Sequence, residues 1–131
     1  MFAPSTRAAD AYRQTQVVSG TPLELVVMLY DGALKFMAIA ETAVHRKDIT
    51  ARRAALSKAL AIISELQNTL NMEQGGDIAQ SLDELYRYAS LRLLDAAARN
   101  DAAPIEETMR LFRTLREGWQ GIAAGDQRAS R

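Results

Sequence analysis

The chain has 131 residues, 48% hydrophobic and 24% charged, which fits a single globular domain with one modest core. Sixteen basic residues balance sixteen acidic ones, and Glu106, Glu107 and Glu117 stand among Arg110, Arg113 and Arg116, so nucleic acid is not an expected partner. Cysteine is absent, which excludes disulfides, thiolate metal sites and a cysteine nucleophile. No run approaches the roughly 20 apolar residues that span a bilayer, and the first residues lack a signal-peptide core, so the cytosol is the expected compartment.

Residues 1–20 read as an N-terminal arm. Pro4, Gly20 and several Ser and Thr residues discourage a long helix. Tyr12, Val17 and Val18 are more apolar than a solvated tail requires, so a short docked helix or turn is expected between Ala8 and Gln14. The first long helix begins sharply. Thr21 suits the cap, Pro22 the first helical position and Glu24 the reciprocal capping position. The helix is expected to reach about His45. Leu25, Val26, Leu29, Ala33, Phe36 and Ala40 form its core stripe at 3.6-residue periodicity. Met28 and Ile39 fall to one side of that stripe and Val27 and Leu34 to the other, so the helix has apolar shoulders on both sides. Gly32 costs about 1 kcal/mol against alanine within it, which points to a close helix crossing or to a backbone site for a partner.

A second helix is expected from Ile49 or Thr50 to about Glu73. Its apolar face carries Ala55, Leu56, Ala59, Ile62, Ile63, Leu66 and Leu70, and its polar face Arg52, Arg53, Lys58, Glu65 and Asn68. Gly75-Gly76 is the strongest punctuation in the chain, after which Asp77 caps a third helix that ends near Asn100-Asp101. Ile78, Leu82, Leu85, Tyr86, Ala89, Leu93 and Ala96 make its core stripe, while Tyr88, Leu91 and Leu94 point elsewhere. The fourth helix opens around Pro104, with Ile105, Thr108, Phe112, Leu115, Trp119 and Ile122 in line, and residues 124–131 read as a flexible tail. Matched lengths and short connections predict an all-α, antiparallel up-down-up-down four-helix bundle over 21–123. Its expected core is Leu29, Phe36, Leu56, Ile63, Leu66, Leu82, Leu85, Leu93, Phe112, Leu115 and Trp119.

Chemistry is sparse. His45, the single histidine, reads as a solvent-facing side chain that favours the C-terminal end of the first helix dipole. Di-metal bundles need inward Glu-x-x-His pairs from several helices, and one histidine does not supply them. Gly75-Gly76 is followed by Asp77, which repels phosphate where a phosphate loop would carry lysine. Catalytic residues, cofactor-binding residues and metal ligands are therefore expected to be none. The surplus apolar surface becomes the main clue. Either interhelical grooves receive amphipathic turns of a disordered partner, with Met28, Met37 and Met109 adapting to it, or the same surface forms a homodimer seam.

Several separate pieces then fall into a known order. They are Tyr12-Arg13-Gln14-Thr15-Gln16-Val17, Thr21-Pro22 leading to Met28-Leu29-Tyr30-Asp31-Gly32-Ala33, Leu70-Asn71-Met72-Glu73-Gln74-Gly75-Gly76-Asp77-Ile78-Ala79, and Leu82-Asp83-Glu84-Leu85-Tyr86-Arg87-Tyr88. Across roughly residues 8–123 the sequence resembles the FliS family, flagellin-specific chaperones of flagellar type III export. The resemblance implies a cytosolic protein without enzymatic activity. Its client is the disordered C-terminal region of flagellin, which it keeps from premature polymerisation and delivers to the flagellar export apparatus. It also implies an arm that covers part of the bundle and moves when flagellin binds. The expected contact set is Tyr12, Gln14 and Val17 in the arm, with Met28, Gly32, Ile39, Leu60, Leu91 and Leu94 off the core stripes. A monomer that binds its client one to one is expected, with a weak homodimer and a structural or regulatory oligomer as the alternatives.

Overall fold

The structure, a computed structural model, describes residues 22–129, excepting the side chains of 123 and 126–129. The arm, with Tyr12, Gln14 and Val17, and the capping residue Thr21 lie outside the described residues. Within them are four helices: α1 (Pro22–His45), α2 (Ile49–Asn68), α3 (Met72–Arg99) and α4 (Ala103–Ala129).

Local chemistry explains most of the boundaries. α1 ends through Lys47, which takes a left-handed φ of 56°, while the Asp48 amide bonds Ala43 O at 2.9 Å. Asp48 then caps α2 by accepting from the Ala51 amide at 3.0 Å. α2 stops at Asn68 instead of near Glu73. Thr69 closes it, with its hydroxyl donating to Leu66 O at 2.7 Å, and Asn71 opens α3 by accepting from the Gln74 amide at 3.0 Å. These short polar side chains offer the backbone a local alternative to another helical turn. Gly75-Gly76 therefore does not end α2. It breaks α3 one turn in, where Gly76 adopts φ 52°, ψ −128°, a conformation open essentially to glycine alone. α3 ends on Asn100, left-handed at φ 52°. α4 continues to Ala129, past the expected boundary at residue 123.

α1 packs against α2 and α4, and α3 packs against the same two helices; across the diagonal the α1 and α3 backbones stay apart and side chains such as Tyr30 and Tyr86 meet in the core. One end of the bundle thus gathers the start of α1, the end of α2, the start of α3 and the end of α4. The other end gathers the opposite termini. Leu56, Ile63, Leu66, Leu82, Leu93 and Phe112 are buried as expected. Leu29, Phe36, Leu85, Leu115 and Trp119 are only half-buried. On α1 the buried stripe is Tyr30, Ala33, Met37, Ala40 and Val44, turned by one residue from the expected Leu29 and Phe36. Tyr30 is buried because its hydroxyl has partners: it lies 2.7 Å from the Tyr86 hydroxyl and accepts from Trp119 Nε1 at 3.2 Å. Tyr30, Tyr86 and Phe112 pack with centroids 5.1–6.3 Å apart. Burial pushes both phenols above their ordinary range, so they stay neutral and hydrogen-bonded. Phe36 instead packs at the edge of the core, with the Lys35 and Lys58 ammonium groups 5.6 and 5.3 Å from its ring centroid.

Gly32 marks a close crossing. A Cβ there would lie 3.1 Å from Ile62 Cδ1 of α2, so the missing side chain sets how near the two helices approach.

Candidate functional site

The two ends of the bundle differ in how they are finished. At the α2-start end, Arg52 is buried, although the sequence places it on the polar face of its helix. Its Nη2 donates to Ala97 O at 3.0 Å, and Nη1 bonds the Asn100 side chain. The guanidinium thus sits among the last carbonyls of α3, where a cation is favoured by the helix dipole. Nearby, on the α3–α4 face, Glu107 accepts from Tyr88 at 2.6 Å and from Arg92 Nε at 2.7 Å, and Arg92 also reaches Asp95 at 3.1 Å. Those hydrogen bonds, Tyr88 first and then Arg92, hold the Glu107 carboxyl below its ordinary value.

The opposite end is left apolar and open. A cavity of about 280 Å³ is lined by Pro22, Leu23 and Val26 of α1, by Leu70, and by Ile78 and Trp119 among others. A shallower concavity of about 250 Å³ shares Ile78, Leu82 and Trp119 with it and extends to Leu115 and Ile122 on α4. Ile78 is 73% exposed and Ile122 56%, so the sequence expectation that both face the core is corrected. For Ile78 the reason is the break at Gly76, which lies just before it. α4 simply outruns its neighbours' cover at Ile122. Half-buried Trp119 forms part of the wall, its indole N–H held by Tyr30. The arrangement has the chemistry of a protein-binding surface: apolar walls with few polar atoms, ready to take aliphatic or aromatic side chains from an amphipathic segment.

The expected contact residues do not converge on this end. Met28, Ile39, Leu91 and Leu94 are exposed apolar side chains, as an off-stripe position requires. Ile39 lines a separate concavity of about 330 Å³ between α1 and α2. Leu60 is half-buried against the core, and Gly32 faces Ile62. The residues that build the open end, Leu23, Val26, Leu70, Ile78 and Trp119, were not in the expected set. Leu23 and Val26 beside Pro22 were a readable signal, because a helix start has no preceding turn to cover its apolar residues. Ile78 and Trp119 were hidden, because each fits a core stripe by periodicity.

One further group is brought together at the α2-start end. Glu41 and His45 stand one turn apart on α1 and face Glu106 of α4, with one ligand-capable atom of each lying within 4.8 Å of the others. Contact with Glu106, reinforced by burial, raises the Glu41 carboxyl above its ordinary value, against the opposing pull of His45 and Arg113.

Comparison with known proteins decides what the architecture belongs to. The family model described as "Flagellar protein FliS" matches residues 5–126. The chain is 41% identical to the flagellar secretion chaperone FliS of Salmonella typhimurium, over 84% of this chain and 82% of that protein. It is 34% identical to the flagellar secretion chaperone FliSB of Pseudomonas aeruginosa, over 89% and 96%, and 36% identical to FliS of Bacillus subtilis, over 84% and 81%. The chain belongs to the FliS family. That family consists of chaperones and not of enzymes, and the chain is accordingly a flagellar export chaperone. Among the described residues no helix is long and apolar enough to cross a membrane.

Proposed function

We propose that this FliS-family chain is a cytosolic chaperone that binds the disordered C-terminal region of flagellin, keeps it from premature polymerisation and delivers it to the flagellar export apparatus. The observation that carries this reading is the open, apolar end of the bundle running from Leu23 to Ile122, in a member of a secretion-chaperone family. A disordered client folds amphipathic turns against such a surface, and the area it covers offsets the entropy it loses. Exposed Met28, Ile39, Leu91 and Leu94 extend the contact set along the helices, so a long client segment wraps the bundle rather than filling one cavity. Leu60 and Gly32 contribute less, being engaged in helix packing.

Chain connectivity supports an action of the arm on the same surface. Pro22, which follows it directly, lines the apolar cavity. At roughly 3.3–3.6 Å per residue, Val17 reaches at most about 18 Å from Pro22 and Tyr12 about 36 Å, enough to lie across the open end. In this reading Tyr12, Gln14 and Val17 cover the cavity in the free protein and are displaced by flagellin. Titration of labelled protein with a flagellin C-terminal peptide, followed by amide NMR, tests both parts. Residues around Leu23, Ile78 and Trp119 are expected to shift together with the arm, and deletion of residues 1–18 to change the affinity. No binding at tens of micromolar overturns the flagellin reading; binding with an unresponsive arm overturns only the displacement.

A further inference from the structure

We propose that Glu41, His45 and Glu106 form a binding site for a divalent transition metal, of which zinc is the best-matched, clamping the end of α1 to the start of α4. Glu41 and His45 are four residues apart on α1, so both project from one helical face. Glu106 lies in the first turn of α4 and completes the set from the neighbouring helix. The donor atoms lie within 4.8 Å of one another. Metal–ligand bonds of roughly 2.0–2.2 Å in tetrahedral geometry need donors roughly 3.3–3.6 Å apart, a closure that side-chain rotation on two fixed helices supplies.

The donor chemistry selects the class of metal. One imidazole nitrogen with two carboxylates suits zinc, nickel or copper, whereas calcium and magnesium favour all-oxygen shells with higher coordination or ordered water. A neutral imidazole and two carboxylates also bring two negative charges to a divalent cation. Among the described residues neither Glu41 nor Glu106 is committed to an ion pair with lysine or arginine, so both carboxylates remain open to a cation. Arg113 is the competing positive charge facing Glu41. Three protein ligands at a solvent-facing position leave the remaining coordination to water, and the site's effect is to fasten two helices together. It lies at the opposite end of the bundle from the apolar cavity, and its direct effect is on stability.

The chain is favourable for a direct test because His45 is its one histidine and it has no cysteine. Chelator-treated, full-length protein without a histidine tag is titrated with zinc chloride by calorimetry and melted with and without the metal. One zinc per chain and a raised melting temperature, reversed by chelator, are expected. His45→Ala, Glu41→Gln and Glu106→Gln are each expected to weaken binding by about tenfold or more. Arg113→Gln is expected to strengthen it by removing the competing charge. In NMR spectra the His45 ring signals move with zinc while the Trp119 indole signal does not. Circular dichroism checks that each variant is folded, and His45, being exposed, is replaceable without disturbing the core. No binding at sub-millimolar zinc, equal binding by folded His45→Ala, or zinc-dependent dimers in sedimentation would each overturn the proposal.

Discussion

The two ends of this bundle are made from the same four helices yet are finished by opposite means. At the α2-start end a buried arginine closes the last turn of α3, Asn100 takes the left-handed cap, and Ile105 is fully buried at the start of α4. At the other end Leu70 and Trp119 stay half-exposed, Ile78 projects into solvent, and a glycine break replaces a regular helix start. Exposed apolar residues occur at both ends, Ile39 and Ile49 among them, but only the open end gathers those of three helices and a turn into adjoining cavities, as a surface suited to a partner does. On the proposed reading the difference also separates two kinds of residue: those whose loss is expected to destabilise the fold and those whose loss is expected to weaken client binding.

Truncation should show that separation most clearly. Leu56 is 1% exposed, and Leu56→Ala is expected to cost about 2–5 kcal/mol in chemical denaturation. Ile78→Ser is expected to change stability by less than about 0.5 kcal/mol while weakening a flagellin peptide severalfold. Equal destabilisation by the two would erase the contrast between the ends. The next largest effect belongs to Arg52. Arg52→Ala removes charged hydrogen bonds to Ala97 O and Asn100 together with the packing of a buried side chain, for a loss of about 1.5–3 kcal/mol. Arg52→Lys is expected to recover only part of it, since a point charge cannot span both acceptors. A result near zero would mean that the arginine decorates the closed end without closing it.

Gly76 sharpens the comparison from the open end. Its φ of 52° with ψ −128° is strained for any L side chain, so Gly76→Ala is expected to cost about 1–3 kcal/mol even though its Cβ would meet nothing within 4 Å. A neutral Gly76→Ala would show that α3 runs on straight and Ile78 turns inward, which the amide shifts of residues 72–82 would report. The smallest effect is electrostatic. Glu107 has its carboxyl held below its ordinary value of 4.5 by Tyr88 and Arg92. Its contribution to stability is complete above that ordinary value and is lost as pH falls through the lower folded one. Glu107→Gln is therefore expected to flatten the acid limb of the stability profile slightly and to leave the neutral region alone, since exposed pairs of this kind contribute little.

Much of the architecture was legible in the residues themselves. Pro22 and His45 bracket α1 because capping and dipole signals are local, and the connection through Lys47-Asp48 was readable for the same reason. The errors arose where a residue's fate depends on a partner distant in sequence. Tyr30 is absent from the expected core, yet it is fully buried because Tyr86 and Trp119 satisfy its hydroxyl from two other helices. Arg52 looked like a polar-face residue because nothing nearby in sequence announces the α3 carbonyls it serves. Gly75-Gly76 was seen as a stop, whereas Thr69 and Asn71 had already ended one helix and begun the next. The candidate site was the least legible part. An off-stripe position identifies exposure, as at Leu91 and Leu94, but only the assembled bundle shows that apolar residues from three helices and a connecting turn meet at one end.

Trp119 has one more consequence. It is the chain's single tryptophan, and it sits at the wall of the open cavity with its indole tied to Tyr30. Whatever enters that cavity takes water from around the ring, and emission shifts toward the blue as it does so. The molecule therefore carries its own optical gauge of occupancy, without any label attached.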